Sequence, residues 1–436
     1  MRDAVSDPSP VSGDLRSILW IQALRAFLYG FATVLLGTTF AAAGLSDAEA
    51  GAVFTAMLAG MALSSIAVAR WGHLAGRRRL YASLLLLMGA AGSVFVFTLW
   101  LPVLVLVSLT GTLSTDPNES GPITSLEQAM LGETAPATRT RIFGRYNAIA
   151  YLAGSLGALT AGGPAALRNA IPALPSNRAF FLAFPLIGAI CALLVRRLSA
   201  AVEGRRGGRR SDSGASERSD ASGKEGRGAP PRPTAGTTGT IRRLAALFAL
   251  DSFGGGFIVQ TFIVFWFRRK FGASVETMSL VFFAAGLLQA ASSIVATWLA
   301  ARIGLLNVMV FTHLPSNLLL LAVPLVPSIG VAITLLLARF ALSQMDVPTR
   351  QAYVVSMVDS GQRTAAAAYT NTARYVARPF GPAIGGVLMQ HVALAAPWIA
   401  AGGLKIAYDG ALFALFRRVP IPGDGPEPPG SSGVTG

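Results

Sequence analysis

Two ionised residues stand where an apolar helix should carry none. Arg25 opens the run Arg25-Ala-Phe-Leu-Tyr-Gly30-Phe31, near the start of the first apolar segment. Asp251 opens the run Asp251-Ser-Phe-Gly-Gly-Gly256-Phe257, at the same depth in an apolar segment 226 positions later. Phe27 and Phe253 correspond, as do Gly30 and Gly256. A charge held inside lipid costs about 2.5–3.5 kcal/mol on insertion scales and usually serves a purpose. Opposite charges at repeat-related depths are expected to pair across a shared midline cavity. The pair then acts as a clamp on a bound solute or as a proton-linked switch, or else it is a fixed ion pair that holds two halves together.

Further groups join this list. Asp116 and Glu119 are three residues apart and share a face on a helix, while Asp346 and Arg350 occupy the matching place in the second half. A carboxylate near the membrane midplane is desolvated and can exchange a proton at physiological pH; nearer the surface it is an ordinary solvated acid. Glu127 and Gln128, lower in the same segment, are also positioned to face a cavity. Arg374 and Arg378 lie one helical turn apart and suit an anion, unless they pair with Asp346 or pack toward the cytoplasmic edge. Lys405 and Asp409, also one turn apart, read as a self-neutralising structural pair. His313, with Pro315 and Asn317, breaks its segment and reads as a packing residue ahead of a proton relay. Gln22, Gln260 and Gln289 are candidate hydrogen-bonding groups for a solute. No phosphate-cradling glycine loop, metal-spaced His/Cys cluster or serine nucleophile motif appears. The sequence therefore predicts no catalytic residue, no metal and no cofactor.

The elements that position these groups are membrane helices. The 436 residues are 53% hydrophobic and only 13% charged, with a mean hydropathy of +0.55, which leaves too little polar surface for a water-soluble chain. Several apolar stretches reach the roughly 20 residues that cross about 30 Å of hydrocarbon. Twelve spans are predicted, approximately 17–41, 48–69, 79–99, 101–131, 143–163 and 179–196, then 243–267, 275–300, 305–326, 329–358, 365–389 and 394–416. The fourth and tenth are long and carry polar, proline-containing centres, so each is expected to tilt or break, which membrane helices tolerate where they face a wet cavity. The expected organisation is a tail over 1–16, a six-helix bundle over 17–198, a linker over 199–241, a second bundle over 242–418 and a tail over 419–436. The linker is rich in Gly, Ser, Arg and Pro and cannot bury a core. No cleavable signal precedes the first span. The lone Cys191 cannot form an internal disulfide. The net charge of +15 gathers in loops beside spans, where the positive-inside rule and anionic lipids account for it without nucleic acid. Arg77-Arg78-Arg79, Arg139, Arg141, Arg196, Arg197 and Arg417-Arg418 then lie on the cytoplasmic side with both termini, and Arg268-Arg269-Lys270 breaks the rule.

With twelve spans, a long linker after the sixth and a half-to-half repeat, the chain resembles the major facilitator superfamily. The turn between spans two and three, Ala69-Arg70-Trp71-Gly72-His73-Leu74-Ala75-Gly76-Arg77-Arg78-Arg79, is similar to that family's signature at Gly72, Gly76, Arg77 and Arg78. His73 and Leu74 stand where the signature has an acidic and a basic residue. Ala301-Arg302-Ile303-Gly304 echoes the turn in the second half. Gly121-Pro122-Ile123-Thr124, Glu133, Arg141 and Gly144 are similar to the family's fourth-to-fifth span pattern. Gly381-Pro382-Ala383-Ile384-Gly385-Gly386 looks like the core of the antiporter signature, here in span eleven instead of span five. The resemblance implies an all-α polytopic membrane protein with two pseudo-symmetric six-helix bundles around a central cavity. It implies a secondary transporter of the cytoplasmic (inner) membrane, working as a monomer on a small polar or amphipathic solute, with a proton or other coupling ion and membrane lipids as partners. Export is slightly favoured over import. The alternatives are a non-transporting sensor or assembly partner with a carrier fold, and an intramembrane transferase.

Overall fold

The computed structural model describes residues 10–114, 116, 121–132, 136–163, 171, 177–199, 202, 235–358 and 363–419, and its regular structure there is helical. The first half contains α1 (Pro10–Ala42), α2 (Asp47–Ala75), α3 (Arg77–Phe97), α4 (Leu101–Ser108), α5 (Pro122–Gly132), α6 (Pro136–Thr160) and α7 (Ala183–Val195), the last entered through a 3-10 turn at Asn177–Leu182. The second half contains α8 (Ala235–Gly256), α9 (Gln260–Phe271), α10 (Val275–Ile303), α11 (Leu305–Ala322), α12 (Ile329–Ser343), α13 (Asp346–Ser356), α14 (Arg363–Ala377), α15 (Phe380–His391) and α16 (Ala396–Phe416). Nine helical stretches among the described residues are long and apolar enough to cross a membrane. The segments α4–α5, α6 and α14–α15 fill the places of the other three expected crossings. The chain is an integral, multi-pass membrane protein.

The repeat seen in the sequence reappears as matched turns. Ser46 caps α2 in a reciprocal box, accepting from the Glu49 amide while the Glu49 carboxylate accepts from the Ser46 amide; Ser274 caps α10 by accepting from the Thr277 amide. Such caps satisfy amides that a helix leaves unpaired at its start. Gly76 (φ 78°) ends α2 and opens α3, and Gly304 (φ 84°) does the same between α10 and α11. A side chain at either place would be strained in the left-handed region. Arg77 and Arg78 of the signature turn donate to the Val202 and Arg196 carbonyls, which tie that turn to the end of the sixth span.

Glycine contacts set the helix pairs within each half. Gly30 of α1 lies against the Gly154 backbone of α6, and Gly157 against the Phe27 carbonyl. Gly256 of α8 lies against the Arg378 carbonyl and Gly381. Small residues let membrane helices approach this closely. Between the halves, contacts gather at the end that carries the Gly44 and Gly272 turns. Phe54 of α2 meets Phe262 of α9 edge-on at 5.9 Å. Thr55 donates to the Pro379 carbonyl and accepts from the Ala383 amide, both at 2.8 Å. Arg269 reaches Asp47 at 3.1 Å.

Two boundaries differ in the structure. Residues 10–16, expected in a tail, begin α1, because the buried Asp14 carboxylate accepts from the Ser199 amide and hydroxyl at 2.8 and 2.5 Å. Residues 235–241, expected in the linker, begin α8, and Ile241 and Leu244 are buried there. The three cations that break the positive-inside rule have local work. Arg268 donates to the Gly272 and Ala273 carbonyls at 3.1 Å, Arg269 pairs with Asp47, and Lys270 caps the Pro324 and Val326 carbonyls. Cations at a helix C-terminus also suit its dipole.

Candidate functional site

Four spans break, and the breaks surround one cavity. The fourth span stops at Ser108 and resumes at Pro122. Gly111 enters the left-handed region there (φ 73°), Tyr29 donates to the Thr112 carbonyl at 2.5 Å, and Ser114 accepts from the Asp116 amide. The seventh span breaks between Gly256 and Gln260, the tenth between Ser343 and Asp346, and the eleventh between Ala377 and Phe380. The breaks put Asp116, Gln260, Asp346 and Arg378 on a cavity of about 490 Å³ that also carries Asp251, Arg339, Arg350, Arg374 and Lys405. Exposed polar residues (Gln128, Asn147, Gln351 and Asn371) line it toward the end away from the closed contacts.

Its charge comes from the second half. The Asp251 carboxylate takes the Lys405 ammonium at 2.6 Å, with Arg350 at 3.5 Å and the His313 Nε2 at 3.8 Å. Arg350 also holds Asp346, one turn away, at 2.6 Å. Behind this wall, His313 Nδ1 lies 2.8 Å from Asp409, whose other oxygen accepts from the Asn317 amide at 2.8 Å. Asp409 and Asn317 are fully buried. One imidazole thus stands between a carboxylate on the cavity and a carboxylate beyond it, a layout suited to passing or holding a proton. The first half offers the cavity Thr124, Gln128, Asn147 and Tyr151, with Asp116 as its described acid.

Arg25 is elsewhere. Its guanidinium meets Glu127 at 2.6 Å with both side chains at 0% exposure, and it also donates to Gln22 and, at 3.3 Å, to the Tyr146 oxygen. Tyr146 and Tyr81 donate to the same Glu127 carboxylate at 2.5 and 2.6 Å. The expected Arg25–Asp251 pair across the cavity is therefore corrected. Gln22, expected to meet a solute, is buried beside Arg25, and Glu127 faces the same cluster. The Lys405–Asp409 pair is corrected as well, because Lys405 goes to Asp251 and Asp409 to His313 and Asn317. Gln289 and Gln260 line the cavity. Glu119 lies outside the described residues. Arg339, on the cavity wall, was not among the expected residues. Its signal was in plain view, a lone cation in an otherwise uncharged helix of fifteen residues.

The Major Facilitator Superfamily model matches residues 244–435. The uncharacterized membrane protein YJR124C of Saccharomyces cerevisiae is 24% identical over 431 residues, covering 92% of this chain and 94% of that protein. A bacterial homolog of the human lysosomal transporter Spinster, in an inward-facing and unoccupied conformation, superposes with a TM-score of 0.64 at 14% identity, covering 94% of this chain and 96% of its own. The nucleoside transporter NupG gives 0.65 at 12% identity, covering 92% and 99%. The described cavity thus sits in the fold that these solved transporters share.

Proposed function

We propose that this chain, whose residues 244–435 match the Major Facilitator Superfamily model and which shares the fold of solved transporters, carries out proton-coupled secondary transport of a small polar or amphipathic solute. The halves rock about the cavity so that it opens to one side at a time. On the positive-inside rule we assign the open end and both termini to the cytoplasmic side of an inner membrane, so that a solute loading there leaves by export. The monomer suffices, since the cavity is built within one chain.

One observation carries the reading: Asp251 sits on the cavity wall between the Lys405 and Arg350 cations and the His313 imidazole, which come from three other spans. Ionised, it ties α8 to Lys405 on α16, Arg350 on α13 and His313 on α11. Protonated, it becomes a neutral acid that keeps no claim on two full positive charges. The ties loosen and the bundle is free to change shape. Asp346 then remains to hold Arg350, while Arg339 and Arg374 keep the field around Asp251 positive. His313 gives the proton a second stop on the way to Asp409.

The test is flux in vesicles reconstituted with the full chain. Uptake or extrusion should follow an imposed pH gradient and vanish when that gradient is collapsed. Asp251→Asn, which mimics the protonated acid, should retain solute exchange at equal concentrations and lose gradient-driven accumulation. Accumulation that persists in Asp251→Asn removes the proton role, and wild-type flux indifferent to the gradient removes proton coupling altogether.

A further inference from the structure

Among the described residues, Arg339 carries a buried charge that no ion pair neutralises. It lies in the second half of α12 on the cavity wall and is 8% exposed. Among the described residues, the guanidinium makes no ion pair and no hydrogen bond, and its Nε is one of the buried polar atoms with no partner. Its one close contact is the face of Phe340, 5.2 Å from the ring centroid. The acids that could serve it are committed elsewhere. Asp251 is held by Lys405 and Arg350, and Asp346 by Arg350.

An unpaired buried cation is a costly feature to keep. The cost becomes useful when a ligand supplies the counter-charge. A guanidinium is suited to this, since its planar fork meets a carboxylate, phosphate or sulfate with two parallel hydrogen bonds. The same cavity holds Arg374 and Arg378, one turn apart on the eleventh span, and carries more cations than acids. The opposite wall is neutral and polar at Thr124, Asn147 and Tyr151, with Phe340, Ile258 and Ile263 nearby for a hydrocarbon portion. Its volume of about 490 Å³ falls in the range of sites that enclose a small organic molecule.

We propose that Arg339 anchors the oxyanion head of an organic anion in this cavity, with Arg374 and Arg378 as flanking charges, so that the solute is a carboxylate or a phosphate or sulfate ester. The inference deepens the transport reading by naming the charge of the solute. The binding itself requires neither a gradient nor movement.

The experiment reads thermal protection of the purified full chain. The probes are phenylacetate, phenyl phosphate and phenyl sulfate, against phenylacetamide and phenethylammonium as neutral and cationic counterparts. At least one of the three anions should raise the unfolding midpoint in a saturable way, and the amide and ammonium should not. The anion that protects tells carboxylate from phosphate or sulfate ester. Arg339→Gln should weaken that protection at least tenfold, and its ligand-free midpoint should stay at or above that of the wild type, because an uncompensated charge has been removed. Arg339→Lys should recover part of the affinity. Protection by none of the anions, equal protection by the ammonium, or an affinity unchanged in Arg339→Gln each overturns the proposal. Anion binding lost in Arg339→Gln without any flux in vesicles would sustain this site and defeat the transport reading. Flux of a cationic solute would do the reverse.

Discussion

The two halves of this chain place an ion at the same repeat position and treat it in opposite ways. Around Arg25 the first half builds a sealed cluster, in which Glu127 neutralises the charge and Tyr81 and Tyr146 fill the remaining acceptor sites of the carboxylate. Around Asp251 the second half builds a cluster on the cavity wall, in which Asp251 and Asp346 share Arg350 and Asp251 also takes Lys405. Counting the same 226 positions on from Glu127 reaches Tyr353, whose buried hydroxyl has no partner. The buried acid that closes the first cluster has no counterpart in the second. The difference teaches that one fold can use an intramembrane charge as a rivet in one bundle and as a moving part in the other. A rivet needs its charge matched by a fixed counter-charge away from water. A moving part needs partners to spare and access to solvent.

Breaking the rivet should have the largest effect. Glu127→Gln strands Arg25 in a dry site and should destabilise the protein by about 3–5 kcal/mol, read as a fall in the unfolding midpoint in detergent. Arg25→Gln with Glu127→Gln should recover part of that loss, which sharpens the claim that pairing and not either charge is what the first half requires. Tyr146→Phe removes one bond to the same carboxylate and should cost about 1.5–3 kcal/mol, with gradient-driven flux per folded molecule unchanged. If that flux falls with the tyrosine, the first cluster is not merely structural and the contrast fails. Asp251→Asn should cost less stability, ~1–2 kcal/mol, because cavity water hydrates the cations left behind, yet it should remove gradient-driven accumulation. Smallest of all, Arg269→Gln breaks a bridge that is 47% exposed on the arginine side and should cost ~0.2–1 kcal/mol. Its reporter is the accessibility of cysteines placed at the closed end in a Cys191→Ser background, which should rise slightly.

Much of the fold was legible because lipid leaves few options. Apolar runs of about 20 residues must be helices, and the polar centres of the fourth and tenth spans announced their breaks. The pairing of charges was less legible. Arg25 and Asp251 do occupy equivalent places, since Gly30 and Gly256 five residues on make equivalent close contacts. Equivalence under a two-fold relation, however, sends each side chain into its own bundle and not toward the other. The spacing of Lys405 and Asp409 suggested a pair on one helix, but a buried helix side has tertiary partners that compete for the same charges. Asp251, His313 and Asn317 win that competition. Arg339 was overlooked because it has no partner in the sequence at helical spacing, and that same solitude is what the structure makes informative. Gln128, Gln260, Asp346 and Arg374 line the cavity.

The sealed cluster also sets a problem of timing during synthesis. Arg25 emerges from the ribosome 102 residues ahead of Glu127, and at about 5–20 residues per second that interval is roughly 5–20 s. For that time the first hydrophobic segment carries a charge that lipid resists and has no carboxylate to meet it. Until the fourth segment arrives, the apolar length of the first helix has to offset that cost alone.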